Sequence, residues 1–129
     1  MYIISPDTFK TVQANASGNT ALWTPTSGKK FRLMKLQVQL TSNSTLAAAG
    51  VLTVTFQDGS SGIPITHDFY VGQVALTAAT ALFTSGEDGN WLDLGNGFLS
   101  STINNVLNVN LSATLASGNI RVTAIGTEE

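Results

Sequence analysis

Between positions 107 and 115 every second residue is apolar. Leu107, Val109, Leu111, Ala113 and Leu115 alternate with Asn108, Asn110, Ser112 and Thr114. A period of two fits a half-buried β-strand and excludes an amphipathic helix, whose apolar stripe recurs every three or four residues. Ser117-Gly118-Asn119 interrupts the pattern, and Ile120, Val122 and Ala124 resume it. Residues 105–126 therefore read as a long hairpin with one apolar face and one polar, almost uncharged face.

The same period runs through most of the chain. Residues 8–14 (TFKTVQA) and 20–23 (TALW) read as short strands. In 31–41, Phe31 and Leu33 share one phase, while Leu36, Val38 and Leu40 share the other. A one-residue slip moves side chains to the opposite face, so a β-bulge is expected near Met34-Lys35. After a loop at 42–50, Leu52, Val54 and Phe56 mark a strand. Asp58-Gly59-Ser60-Ser61-Gly62 is a turn, and Ile63, Ile65, Phe69 and Val71 share one phase with His67 between them. Segment 74–90 fits one or two helical turns, or an irregular loop carrying a strand. Residues 90–94 form a short strand ended by Gly95-Asn96-Gly97. The tetrapeptide Ala-Ser-Gly-Asn stands at 16–19 and again at 116–119, each time before a strand, which reads as one turn chemistry used twice.

Eight or nine short strands with turn signals between them predict an all-β, antiparallel β-sandwich. A jelly roll of about eight strands is the leading topology and an immunoglobulin-like sandwich the alternative. Residues 1–13 comprise an N-terminal arm and the start of the first strand; residues 14–129 form a single domain.

Charged residues make up 11% of the 129, less than half the usual share, and Thr (17), Ser (12) and Asn (10) supply the polarity instead. With 43% hydrophobic residues the chain is not of a disordered type. Small neutral polar groups lose little solvation and little side-chain entropy when covered, which suits packing against other chains. A net charge of −2 argues against strong phosphate binding, so no nucleic-acid partner is expected. No apolar run is long enough for a membrane helix, and the first residues do not read as a signal peptide. The absence of cysteine excludes disulfides, thiolate metal sites and cysteine nucleophiles.

Catalytic constellations do not assemble. His67 and Asp68 are consecutive and so point to opposite faces of a strand. Gly59-Ser60-Ser61-Gly62 lacks the nucleophile-elbow pattern, and Gly28-Lys29-Lys30 lacks the spacing of a phosphate loop. Gly86-Glu87-Asp88-Gly89-Asn90, with Asp93 nearby, offers hard oxygens of the kind calcium takes, but a solvated loop is the simpler reading, and no metal or other cofactor is expected. Exposed aromatic faces stack on sugars, so Trp23, Tyr70 and Trp91, with Asn90, make an alternative glycan-binding set; packing in the core is the competing reading for both tryptophans. Lys29, Lys30, Arg32 and Lys35 are four of the six basic residues, all within seven positions. With Lys10 they are a candidate patch for an acidic partner surface, or else the charged protection of a sheet edge.

The stretch ALWTPTSGKKFRL (21–33), with VTAIGTEE (122–129), resembles segments of small β-sandwich proteins of tailed-bacteriophage virions, most of all head decoration proteins. The resemblance implies a non-enzymatic, trimeric jelly-roll subunit that is made in the host cytoplasm. It would bind the major capsid protein on the outer shell and stabilise it. Neck, baseplate and fibre domains share the same texture, and a carbohydrate-binding module for host attachment is the alternative. The arm and the basic patch would then be the capsid contacts.

Overall fold

A computed structural model describes residues 5–41, 44–48, 50–73 and 91–129. Within them lie nine strands: β1 Thr8–Ala14, β2 Gly18–Trp23, β3 Phe31–Leu40, β4 Thr45–Leu46, β5 Gly50–Asp58, β6 Ser61–Gln73, β7 Trp91–Leu99, β8 Leu107–Leu111 and β9 Ile120–Glu128. No helix occurs among the described residues. The strands form two sheets. Sheet A has the order β1-β9-β3-β7 and sheet B the order β2-β8-β5-β6-β4.

The pairing is nested. β5 and β6 form a hairpin, β3 pairs β7, β2 pairs β8 and β1 pairs β9, all antiparallel. A long hairpin folded over on itself so that its pairs fall alternately into two sheets is a jelly roll, as expected. The two-residue β4 is an addition inside the 42–50 loop; it pairs in parallel with the end of β6. Segment 74–90, whose conformation the sequence left open, lies outside the described residues.

Inward-facing side chains of both sheets make one core. It includes Trp23, Phe31, Leu33, Leu36, Val38, Leu52, Val54, Phe56, Leu107, Val109, Ile120 and Val122, all fully buried or nearly so. Trp23 and Phe98 flank Phe31, with ring centroids 5.8 Å and 6.4 Å from it. His67 sits half-buried in the apolar phase of β6, its ring stacked near Phe69.

The expected bulge in β3 is present. Leu33 pairs Gly126 and Lys35 pairs Ile125, so Met34 is one extra residue and the inward phase switches across it. β6 carries a different irregularity. Phe56 pairs Ile63 while Thr55 pairs Thr66, so β6 gains two residues at Pro64-Ile65. An even insertion keeps the phase, and proline is tolerated because β6 is an edge strand along this stretch and bulges there.

Two expectations need correction. Residues 105–126 are not a hairpin: β8 belongs to sheet B and β9 to sheet A, and 112–119 carry the chain across between them. That crossing is fixed by backbone bonds from Ser112 to Thr53, Leu115 to Asn15 and Ala116 to Thr45. Gly18 and Gly118 of the repeated tetrapeptide both take positive φ, 90° and 80°, so the shared turn chemistry is real. Gly95-Asn96-Gly97 does not end the strand. β7 runs through it, with Leu94 to Gly97 all looped out opposite Met34 and Gly95 and Gly97 at φ 65° and 91°.

Candidate functional site

Lys30 and Arg32 meet the sequence's last two glutamates at one end of sheet A. β9 brings Glu128 to the start of β3, where backbone bonds join Lys30 and Glu129 in both directions (Lys30 N to Glu129 O, 2.7 Å; Glu129 N to Lys30 O, 2.8 Å). The Arg32 guanidinium forms an ion pair with the Glu129 carboxylate and donates to the Asn96 carbonyl at 3.0 Å. Glu128 accepts the indole N–H of the fully buried Trp23 at 2.8 Å and the backbone N–H of Thr26. Asn104, at φ 66°, accepts from Gly28 N with its side chain and donates its own N–H to the Lys29 carbonyl. Loop 24–30 is therefore tied at three points.

These contacts set the protonation of the two carboxylates. Burial would raise Glu128, but the Trp23 and Thr26 hydrogen bonds, with the charge of Lys10, hold it below the usual glutamate value. The hydrogen bond from Arg32 lowers Glu129; slight burial opposes it, and the charges of Arg32 and Lys30 add to the lowering.

The cluster 21–33 and 122–129 is thus one structural unit, a clasp of the β2–β3 loop by the end of β9. Its tightest point is Gly126, where a Cβ would lie 1.8 Å from the Arg32 carbonyl oxygen and 3.1 Å from the Trp23 ring. The sequence showed two separate segments; their contact followed only from the β3–β9 register.

Of the predicted patch, Arg32 and Lys35 stand together on the outer face of sheet A, because the Met34 bulge turns Lys35 to that side. Lys29 is exposed and Lys30 half-buried in the adjoining loop. Lys10 does not join them: it shares the inward phase of Val12 and Ala14, at the rim beside Glu128. Residues 8–13 are also not a detachable arm, since each pairs with β9 and Val12 packs on the core. Phe9, 63% exposed, lies on the outer face of sheet A in the same cross-strand row as Ile125, Lys35 and Asp93.

The glycan set is dispersed. Trp23 is fully buried, so its face cannot stack on a sugar. Trp91 is exposed on the outer face of sheet A opposite Gln37, so core packing holds for Trp23 but not for Trp91. Tyr70 is exposed on the outer face of sheet B, paired with Val51. Asn90, Glu87 and Asp88 lie outside the described residues; the Asp93 carboxylate accepts the Gly95 backbone N–H at 2.8 Å.

The outer face of sheet B is the surface that the opening alternation foreshadowed. Asn110 donates to the Asn19 side chain at 2.7 Å, and Asn19 donates to Gln57 at 2.8 Å, a chain of amides across β8, β2 and β5. Thr53 donates to Asp68 at 2.7 Å. Asp68 is the one charged side chain on this face among the described residues of β2, β5, β6 and β8. All six basic residues lie elsewhere: Lys10, Arg32, Lys35 and Arg121 in sheet A, and Lys29 and Lys30 in the loop leading into it. Composition showed that charge was scarce; only the strand order shows that it is segregated.

A second buried polar cluster staples sheet B to the 100–105 loop. Asp58, nearly buried at the end of β5, accepts Ser100 Oγ at 2.6 Å, Ser101 N at 2.7 Å and Asn105 Nδ2 at 3.0 Å. Burial alone would raise this carboxyl, and the hydrogen bonds from Ser100, Ser101 and Asn105 outweigh it and keep it below the usual aspartate value. Ser100 is itself buried and also donates to the Thr102 carbonyl at 3.1 Å, so the cluster fastens the loop to the end of β5. Comparison with family models, with curated proteins and with solved structures finds no match for this chain.

Proposed function

We propose that the protein is a non-enzymatic structural protein of a tailed-bacteriophage virion, a capsid decoration subunit. It binds the major capsid protein on the outer shell as a homotrimer and stabilises that shell, with no role for nucleic acid or membrane. The segregation of charge carries this reading: a jelly roll with its basic residues on one sheet and a neutral amide face on the other has two surfaces suited to different contacts. The side with Lys29, Arg32 and Lys35 suits a charge-steered contact with an acidic shell surface. The neutral face suits close packing without burying charge, which costs several kcal/mol per ion when unpaired. Repeated weak contacts then add by avidity.

Co-sedimentation with capsids lacking the protein, at low and high salt, tests the proposal. Saturable binding at a fixed ratio to the major capsid protein, weakened by salt, is the expected result. Absence of binding at any salt concentration refutes the decoration role and moves the chain to tail, fibre or baseplate. A glycan screen then follows, although the placement of Tyr70 and Trp91 on opposite outer faces counts against a single sugar platform.

A further inference from the structure

The outer face of sheet B raises a question of its own: what covers a surface that is built to be neither charged nor greasy. Its centre is the Asn110–Asn19–Gln57 amide chain, with Thr55 between Asn110 and Thr66 in the strand pairing. Each amide carries two donors and an acceptor. A face of amides is therefore complementary to itself, whereas a face of one charge repels its own copy. A strongly acidic or basic partner finds no counter-charge here beyond Asp68, which Thr53 already engages. The amides are also ordered by one another, so covering them costs little side-chain entropy. At one end of the face Val51 and Tyr70, 58% and 63% exposed, stand directly opposite each other, and tyrosine is a residue that anchors interfaces.

From these observations we infer that the outer face of sheet B is the surface through which two copies of this chain meet, face to face about a twofold axis. A self-complementary patch is what an isologous contact requires. The four long strands of the sheet span a face roughly 20 Å on a side, about half of the ~800 Å² per partner of a standard interface. The pairing is accordingly weak in solution and gains strength where many copies are held together. A twofold contact cannot close a threefold ring, so it is additional to the trimer contact of the function proposed above and does not depend on it, and it lies on a different surface from the basic one.

Sedimentation of the full chain over a concentration series up to about 1 mM, without capsids, tests the inference. The average mass should rise with concentration. Thr55→Lys places like charges in the centre of the contact and should weaken the self-association about tenfold or more. Gln39→Lys, on the outer face of sheet A, should leave it unchanged, and Thr66→Lys should repeat the Thr55→Lys result if that variant fails to fold. A wild-type mass that is constant over the whole series overturns the inference. So does a Lys variant of sheet B that keeps the wild-type mass at every concentration, or a Gln39→Lys protein weakened equally. Capsid binding can fail while the pairing persists, in which case only the virion role is lost.

Discussion

Replacing Glu128 by Ala isolates the contribution of the clasp. Trp23 is completely buried, and its indole N–H has the Glu128 carboxylate as acceptor at 2.8 Å. Removing the acceptor leaves a buried donor unsatisfied, at a cost of about 1–3 kcal/mol. The Thr26 N–H loses the same acceptor, but Thr26 is exposed and water can replace the carboxylate, so its share is small. The expected loss is about 2 kcal/mol, or roughly 6–10 °C in melting temperature for a domain of this size. Glu128→Gln retains a carbonyl acceptor and should lose about half as much. Urea unfolding followed by tryptophan fluorescence and by circular dichroism measures both. A double-mutant cycle with Trp23→Phe removes the donor, cancels the packing change, and should return a coupling of about 1 kcal/mol or more. A coupling near zero would mean that the Trp23–Glu128 bond does not hold the loop, and the reasoning about the clasp would fail.

Gly126→Ala places a Cβ against the Arg32 carbonyl and should cost about 3 kcal/mol or more through overpacking, read as a lower urea midpoint. Asp58→Asn cannot accept all three hydrogen bonds and should lower stability by about 2–4 kcal/mol, with increased hydrogen exchange at 100–105. Asp58, Glu128 and Glu129 all have folded-state pKa values below their unfolded ones. Their stabilisation is therefore complete above the unfolded carboxylate range and is lost as pH falls through the folded values, so melting temperature should decline on acidification and decline less in Asp58→Asn. Lys29→Glu with Lys35→Glu, both exposed, should change stability little but weaken capsid binding and flatten its salt dependence.

What could be read in the sequence followed from parity. The β3 bulge adds one residue, so the apolar positions change phase at Met34 and announce it. The β6 bulge adds two, and Ile63, Ile65, His67, Phe69 and Val71 keep one phase through it, so the pattern is silent. Alternation also says which face of a strand is apolar but not which sheet the strand joins. That is why β8 and β9 read as neighbours, although the chain between them crosses the sandwich. Trp91 and Trp23 look alike in sequence, each beside alternating leucines or alanine. Their difference arises because Trp91 lies on the outer face of sheet A opposite Gln37, while Trp23 faces the core and is roofed by the end of β9.

The clasp brings together basic residues and glutamates that stand far apart in the sequence. β3 and β9 are adjacent and antiparallel, so the start of one meets the end of the other. Glu129 therefore occupies Arg32, and Lys10 faces Glu128, while Lys29 in the adjoining loop and Lys35 midway along β3 stay exposed. The clasp thus divides the basic cluster in two: one part fastens the fold and another is presented outward. A surface contact that draws on Lys29 and Lys35 rests on a backbone already fixed by Glu128, Glu129 and Asn104, and needs no ordering of the loop on binding. Preorganisation of this kind lowers the entropic cost of each contact. That matters most when every contact is small and must be repeated over many copies.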